Sequence, residues 1–559
     1  MAVSTAALPH AATAHPEKRV TLAFLLTGLL ALLVGALLGP FQALNYAGIN
    51  LYDALPFLRS YYQGLTLHGV LNAFVFTTFF ISGILLYLPA RELDLRPDMT
   101  LAWGSYVTML LGLVLAAWAV LSNTSTVLYT FYPPLQGHWA FYLGLTLVVL
   151  ASTAVGFETI RLRARWKRQN PDKVTPLVTY MSVVTWLMWW LATTGIVLEM
   201  VFLLLPWSFG LIGGVDPELA RTLFWWTGHP IVYFWVLPAY VSWYALLPRQ
   251  AGGELVSDSL ARLAFIMFLL FSVPVGFHHQ FTDPGVPAPW KITHSLLTMM
   301  VGIPSLLTAF TVGASLELGG RRRGGRGVLG WIPKLPWRDP SFTAQVLAMV
   351  SFIFGGAGGI VLASFNLNIL LHNTAWVPGH FHITVGTATT LTFLGLTFWL
   401  VPHLTKKPLF APRMALASAW AWFGGMMIFA FGMHWQGYLA VPRRAQISAL
   451  TGNWEGAYAN AAVPMFFTGL SGVVLLTAVL LYFTVLFGTL FSRRKLPDGE
   501  VPAIPFSRTV ALRSEGVLRV MDTLRAWFAL AVLLVIVAYG PTVISMWLDQ
   551  LPVPGVRYW

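Results

Sequence analysis

Trp376-Val377-Pro378-Gly379-His380-Phe381-His382 opens a long apolar run. Two histidines, two residues apart, stand at the mouth of a predicted membrane-spanning helix. At ~100° per residue, positions i and i+2 point ~200° apart, to opposite flanks of the helix. If both bind metal, they bind different ions, and this helix stands between two centres. Whether such centres exist depends on the partners the remaining chain supplies.

The chain has 559 residues, 57% of them hydrophobic and 10% charged, with a mean hydropathy of +0.69. Soluble chains carry roughly 25% charged residues, so most of this chain lies in lipid. Apolar runs of spanning length (~20 residues) recur about thirteen times. They fall near 20–38, 65–89, 101–121, 139–159, 177–206, 222–247, 263–279, 292–315, 344–370, 379–402, 414–434, 461–490 and 526–547. The expected fold is an all-α polytopic membrane protein. A cytoplasmic tail, residues 1–19, precedes one transmembrane domain, residues 20–559, with no soluble module longer than a loop. No small-residue cleavage site follows the N-terminal region, so the first run reads as a retained helix.

The formal charge of +13 invites a nucleic-acid reading, but its distribution argues for topology. With the N-terminus cytoplasmic, the outer loops hold only Arg59, Arg221, Lys291, Arg443, Arg444 and Arg557 of the 34 lysines and arginines. Short cytoplasmic loops collect Lys and Arg, which places the N-terminus inside and the C-terminus outside. The basic runs at 161–173 and 321–326 are then topology anchors, and no nucleic-acid partner is expected.

With no cysteine, the chain can form no disulfide, thiolate ligand or iron–sulfur cluster. Any buried metal is held by imidazole, carboxylate or thioether, which directs attention to the thirteen histidines. His10 and His15 lie in the polar tail, His403 falls in an inner loop, and His138, His294 and His434 read as structural groups near the outer surface. The other intramembrane histidines carry more weight, because ionisable residues there are costly and usually functional. His68 lies near the outer end of the second span. His229 sits ~10 Å deep in the sixth, at 1.5 Å per residue. The seventh span ends in Gly276-Phe277-His278-His279, and the tenth begins at His380 and His382. A lone histidine in such a helix is most simply a hydrogen-bonded packing group. Six at one depth, drawn from four helices, are not expected of scattered structural groups. Imidazole suits copper, zinc and haem iron, and a proximal histidine is a common haem ligand.

Spacing divides the six. His229 and Tyr233 are i and i+4 and share one face. His278 and His279 adjoin at a helix end, where local unwinding can aim both at one ion, and with His229 they make a three-imidazole site. His380 and His382 point opposite ways, one able to face that site through a haem and the other able to pair with His68.

At these residues the chain resembles subunit I of the haem–copper oxygen reductases. The resemblance rests on Trp226-Thr227-Gly228-His229-Pro230-Ile231-Val232-Tyr233, on His278-His279, on His380-Phe381-His382 and on His68, and it covers essentially the whole chain from first span to last. It implies that His68 and His382 ligate a low-spin haem, His380 a high-spin haem, and His229, His278 and His279 one copper ion. Tyr233 matches the tyrosine that in this family is bonded to the first copper histidine and supplies an electron and a proton to oxygen. Arg443 and Arg444 match the pair that holds haem propionates, a role suited to bidentate guanidinium–carboxylate pairing. His372, with Asn373, lies where it could bond a propionate of the high-spin haem. In close relatives the position of Asn368 holds an aspartate near that propionate, and an amide cannot gain charge. Glu199 is an intramembrane acid without an obvious partner.

Departures from the commoner A-type pattern refine the resemblance. Ile231 replaces a motif glutamate, and neither the acid-and-asparagine channel on helices two and three nor the lysine on helix eight is present. These absences, the thirteen spans and the phrase His-Pro-Ile-Val-Tyr-Phe-Trp resemble the B-type group, typified by the ba-type cytochrome c oxidase. That implies a b-type low-spin haem and an a-type high-spin haem. It also implies a terminal respiratory oxidase in a bacterial or archaeal plasma membrane, reducing dioxygen to water and coupled to proton uptake and translocation. Protons then need a polar line from the cytoplasmic side. Tyr240 and Tyr244 each lie within ~20° of Tyr233 on one helical face, and Ser305, Thr308 and Thr311 follow at i+3 intervals on the eighth span. The resemblance assigns these groups, with Ser257 at the inner rim, to a single proton channel, although serine and threonine in membrane helices often bond only their own backbone. Lacking cysteine, the chain cannot hold the binuclear copper that cytochrome c feeds, so a second subunit at the outer face is expected to carry it.

Three rivals remain. A nitric oxide reductase of the same superfamily shares the six histidines but uses glutamates near a non-haem iron and normally lacks the helix-six tyrosine. A quinol-fed oxidase would differ mainly in its partner subunit. A transporter would need broken helices around a midplane site, whereas the polar groups here cluster in the outer third.

Overall fold

The computed structural model describes residues 15–450, 458–510 and 515–558. Residues 1–14 of the expected tail, His10 among them, lie outside it. Among the described residues the fold is all-helical, with only isolated β-bridges between loops. Among the described residues, eleven helices are long and apolar enough to cross a membrane. In chain order they are α1 (Glu17–Tyr46), α2 (Tyr61–Leu93), α3 (Met99–Leu121), α4 (Trp139–Gln169) and α5 (Leu177–Ser208), then α8 (Ala288–Arg322), α9 (Pro340–Ala363), α10 (Trp376–Thr405), α11 (Pro412–Tyr438), α12 (Ala459–Phe491) and α13 (Leu524–Leu548).

The two runs without an unbroken span are those at 222–247 and 263–279. The first, α6, is split at His229 into Pro217–Gly228 and Pro230–Ala245. Pro230 has no N–H, and its ring clashes with the carbonyl four residues back. The His229 N–H reaches the Trp225 carbonyl only at 3.5 Å. The second, α7, is helical over Asp258–Phe271, stops before Pro274 and resumes as a 3-10 turn at Gly276–Gln280. Both interruptions fall on the histidines that the sequence singles out.

Helix starts follow from capping chemistry, in which a side-chain oxygen accepts an otherwise orphaned N–H of the first turn. Asp98 caps α3, Asp216 caps α6, Ser257 caps α7 and Asp339 caps α9. Glu92, at the end of α2, does the same from outside for α5, accepting from the N–H groups of Val178 (3.0 Å) and Thr179 (2.7 Å). Close packing uses small residues, as expected between membrane helices. A Cβ on Gly112 of α3 would lie 2.5 Å from the Gly144 carbonyl of α4, so neither helix tolerates a side chain there.

The layering positions the histidines. Of the eleven unbroken spans α10 and α2 are the most enclosed, with 83% and 78% of their most apolar stretches buried, against 28% for α8 and α13. His380, His382 and His68 therefore lie on two deeply enclosed helices. Bridges Thr374↔Pro442, Val215↔Val553 and Leu135↔Val556 tie loops at one face, and Leu255↔Thr509 ties the other. His403, expected in a loop, instead lies in the last turn of α10, buried between Tyr87 Oη (2.7 Å) and the Pro502 carbonyl (2.6 Å).

Asp522 anchors the start of α13. It pairs with Arg163 (3.0 Å) and Lys167 (3.2 Å) of α4 and accepts from the Thr175 N–H (3.3 Å). Burial raises this carboxyl, but the bonds from Thr175 and the Arg163 guanidinium outweigh it and hold the group below the ordinary carboxylate value. A depressed carboxyl stabilises the fold above its unfolded value, ~3.9, and loses that contribution as pH falls through the folded value. Asp522→Asn is expected to lower the thermal unfolding midpoint by a few degrees at neutral pH, with the gap to the parent narrowing below about pH 4. Equal midpoints at pH 7 would show that this cluster does not hold α13.

Candidate metal centres

The interruption of α6 swings His229 toward the 3-10 turn after α7, and the ligand atoms of His229, His278 and His279 all lie within 4.8 Å of one another. His229 Nδ1 stands 3.1 Å from His279 Nε2. Two nitrogens bound tetrahedrally to one ion at ~2.0 Å sit ~3.3 Å apart, so this pair is spaced for co-ligation. His279 is fixed by stacking on Trp225, centroids 3.7 Å apart and planes within 5°. The Thr298 hydroxyl donates to the His294 carbonyl (2.6 Å) and so accepts from His278 Nδ1–H (2.9 Å), leaving His278 Nε2 for a metal. Thr227 braces the broken turn, donating to the Ala192 carbonyl (2.7 Å) and accepting from the Ile196 N–H (2.8 Å). One turn beyond, the Tyr233 ring lies 4.9 Å from that of His229, whose buried Nε2 has no partner among the described residues.

On the other flank of α10, the His382 and His68 rings are near-parallel (15°) with centroids 6.2 Å apart, too far for contact. Two metal–nitrogen bonds of ~2.0 Å and two ring radii add to about that spacing. Each ring is oriented by a backbone carbonyl. His68 Nδ1–H donates to Gly35 O (2.8 Å) and His382 Nδ1–H to Pro378 O (2.7 Å). Both Nε2 lone pairs stay available, the arrangement that outer-shell carbonyls impose on metal-binding histidines. His380 faces α9, where a Cβ on Gly358 would come within 3.1 Å of its Nδ1.

One cavity of about 730 Å³ is lined by all six histidines, with Arg443, Arg444 and His372 at one end and Tyr240, Ser305 and Thr308 at the other. Arg444 lies over the Tyr129 ring at 4.7 Å and donates to its hydroxyl (3.3 Å), yet its buried Nη2 has no acceptor among the described residues. Arg443 grips Asn373 Oδ1 through Nε (3.1 Å) and Nη2 (2.9 Å). Burial and the adjoining Arg444 push its guanidinium down to about 10. Burial, with Arg443, Arg221 and Arg444, pushes His372 down to about 4. This end of the cavity is short of negative charge, as a binding place for carboxylates should be. Asn368 donates to the Leu362 carbonyl (2.6 Å) and, at 3.4 Å, to that of His278. Paired imidazoles, a three-imidazole cluster, an orphaned guanidinium donor and a cavity spanning them together fit two haems and one copper.

The hydroxyl line is partly assembled. Tyr244 donates to Thr308 Oγ1 at 2.8 Å and Tyr240 to Ser305 Oγ at 3.4 Å. The Thr308 and Thr311 hydroxyls donate to carbonyls of their own helix, Pro304 O (2.8 Å) and Leu307 O (2.7 Å). Ser257 is engaged as the α7 cap and meets Ser259 at 3.1 Å. Glu199 is fully buried, and neither of its oxygens has a partner among the described residues.

Two features escaped the sequence reading. π-helical turns at Val70–Phe76, Thr384–Thr389 and Met200–Leu204 begin within two residues of His68, His382 and Glu199; such turns concentrate at functional sites. The other is the glycine-rich stretch at 355–359, whose only sequence signal was a concentration of small residues inside a membrane run.

The family model described as cytochrome C and quinol oxidase polypeptide I matches residues 19–468. The chain is 56% identical to cytochrome c oxidase subunit 1 of Thermus thermophilus, with both chains covered fully. It is 27% identical to quinol oxidase subunit 1 of Sulfolobus acidocaldarius, over 69% of this chain and 74% of that one. A solved chain of a heme-copper terminal oxidase dimer superposes with a TM-score of 0.93 at 36% identity, covering 98% of this chain and 96% of the other. The chain belongs to the cytochrome c and quinol oxidase polypeptide I family, subunit I of the heme-copper oxidases.

Proposed function

We propose that this chain is the catalytic subunit of a B-type haem–copper oxygen reductase, which takes electrons from cytochrome c, reduces dioxygen to water and couples the reaction to proton uptake and translocation. The observation that carries the reading is the pair of imidazole centres on opposite flanks of α10, opening on one cavity. Tyr233 beside His229, and Ile231 where a nitric oxide reductase would place an acid, favour oxygen as substrate. Ile231 in place of the A-type glutamate and the thirteen apolar runs support the B-type assignment.

In this reading α6 and α7 are membrane spans despite their breaks. Residues 20–559 form one domain of thirteen spans in a bacterial or archaeal plasma membrane, with the N-terminus cytoplasmic and the C-terminus outside, as the lysine and arginine distribution supports. His68 and His382 hold a low-spin b-type haem, His380 a high-spin a-type haem, and His229, His278 and His279 one copper ion. Arg443 and Arg444, with His372 beside them, hold the propionates. The cavity continues past His380 along Ser305, Leu306, Ala309, Phe352 and Ile353, room that suits the long apolar tail of an a-type haem. Bound there, these groups supply electron transfer and the reduction of dioxygen. A second subunit at the outer face brings the binuclear copper that a cysteine-free chain cannot ligate.

The chain's own part is positioning, dryness and proton delivery. The apolar walls keep bulk water from the metals, which strengthens every interaction inside. Tyr233 holds a phenolic proton one helical turn from His229. Protons reach it along hydroxyls that both donate and accept, through Tyr244 with Thr308 and Tyr240 with Ser305. Each threonine donates to its own backbone, so relay requires its hydroxyl to rotate.

A reduced-minus-oxidised spectrum of the purified membrane protein should show two haems, only one shifted by carbon monoxide, with copper present; absence of haem would overturn the assignment. His278→Ala should abolish copper binding while the low-spin haem spectrum is unchanged. Tyr240→Phe should cut oxygen consumption ~100-fold, the scale of a lost proton-transfer group, with both haem spectra intact; unchanged turnover would count against the path.

A further inference from the structure

The segment that carries His278 and His279 is held from outside the metal site. We propose that Tyr539 on α13 and His294 on α8 are positioning residues that set the aim of these two histidines, an inference that rests on the copper reading above. Between the end of α7 and the 3-10 turn, the backbone at 273–277 leaves the regular helix. Backbone groups freed at membrane depth must find partners within the protein. Tyr539 bridges the gap with one hydroxyl, donating to the Val273 carbonyl (3.0 Å) and accepting from the Gly276 N–H (2.8 Å). His294 takes the next donor. Its Nδ1 accepts from the Phe277 N–H (3.2 Å), which fixes the proton on Nε2, and Nε2–H donates to the Ala538 carbonyl of α13 (3.1 Å). The backbone is thus tied at Val273, Gly276 and Phe277 immediately before His278.

The contact leaves no slack. A Cβ on Gly276 would collide with the Trp225 carbonyl and lie 2.6 Å from the Tyr539 hydroxyl. The Tyr539 ring stacks on Trp226, centroids 4.7 Å apart and planes within 4°, and Phe277 stacks on His294 at 4.1 Å. Trp226 belongs to the α6 turn that carries His229, so Tyr539 touches both breaks. From His294 a second link reaches the metal ligand, because its carbonyl accepts the Thr298 hydroxyl that in turn accepts from His278 Nδ1–H.

The setting marks Tyr539 off from its own helix. α13 is mostly peripheral, with Leu533, Ile536 and Val537 each more than half exposed, whereas Tyr539 and His294 are fully buried. A helix anchored only by apolar packing would need neither a tyrosine hydroxyl nor a histidine at these points.

The test is copper retention in the purified oxidase complex during titration with a copper chelator, read together with the haem spectra. Tyr539→Phe keeps the ring and its stacking and removes both hydroxyl bonds. It should release copper at ~10–100-fold lower chelator concentration, the usual cost of losing an outer-shell partner, with the low-spin haem spectrum unchanged. Thr298→Val, which removes the acceptor of His278 Nδ1–H, should shift the titration the same way, and Ile536→Ala on the exposed side of α13 should not. Copper retention equal to the parent in Tyr539→Phe would overturn the inference while leaving the copper assignment intact. Loss of both haem spectra together with copper would also overturn it, by showing that Tyr539 holds the bundle and not the site. Absence of copper from the parent complex would remove the proposed function and this inference together.

Discussion

A helix that breaks inside hydrocarbon must find new partners for the backbone groups it frees, and the architecture around the metal centres is organised by that requirement. α6 breaks because Pro230 cannot donate, and α7 stops before Pro274. Neither break is left to water. Thr227 ties the first to α5, and Tyr539 with His294 ties the second to α13 and α8. Repairing the breaks also immobilises the residues at their edges, which are the three clustered imidazoles. Irregular backbone thus serves as the means of bringing ligands from two helices to one point, a result that two straight helices with histidines at their ends would not give.

Most of the site was legible because its chemistry is confined to few residue types. Without cysteine and with few intramembrane charges, histidine was the remaining ligand of note, and depth along predicted spans grouped six of thirteen. The ~200° divergence of His380 and His382 followed from helix geometry alone, and the structure brings His382 opposite His68. The span count was less well determined. Hydropathy registers an apolar run whether or not its helix is continuous, so the runs at 222–247 and 263–279 read as ordinary spans, whereas the structure interrupts both. Sequence also missed the three π-helical turns, since an extra residue in a turn leaves no trace in composition. It missed the task of Tyr539 as well, because a tyrosine in a terminal apolar run reads as packing or interfacial belt.

The proton line shows where spacing stops being informative. Helical periodicity put Tyr240 and Tyr244 on one face, and the resemblance grouped them with Ser305 and Thr308; in the structure Tyr240 meets Ser305 and Tyr244 meets Thr308. Periodicity could not say what else those hydroxyls do. Ser305, Thr308 and Thr311 each donate to a carbonyl of α8, and Ser257 is engaged in capping α7. Such local bonds are the usual occupation of hydroxyls in membrane helices. They are compatible with relay because a hydroxyl that donates to a carbonyl still offers lone pairs, but each transfer then requires one local bond to break.

The arginine pair links the site to the stability of the face that carries it. Two adjacent guanidiniums in a half-buried loop repel, and taking each partly out of water costs free energy unless it is paired. Tyr129 and Tyr132 offset part of this by presenting ring faces to Arg444 at 4.7 and 5.8 Å, and Asn373 by accepting twice from Arg443. None of these partners carries a full negative charge at neutral pH, and Arg443 remains pushed down to about 10. A ligand bringing carboxylates to Arg443 and Arg444 would supply the missing charge, and its binding would stabilise the loops that hold them, because whatever binds only the folded state favours it by mass action. Those loops are joined through Thr374 and Pro442 to the segment immediately before Trp376, the start of the helix that carries His380 and His382. A carboxylate held by Arg443 and Arg444 would therefore bear, through the Thr374↔Pro442 bridge, on the segment that leads into α10 and its two histidines.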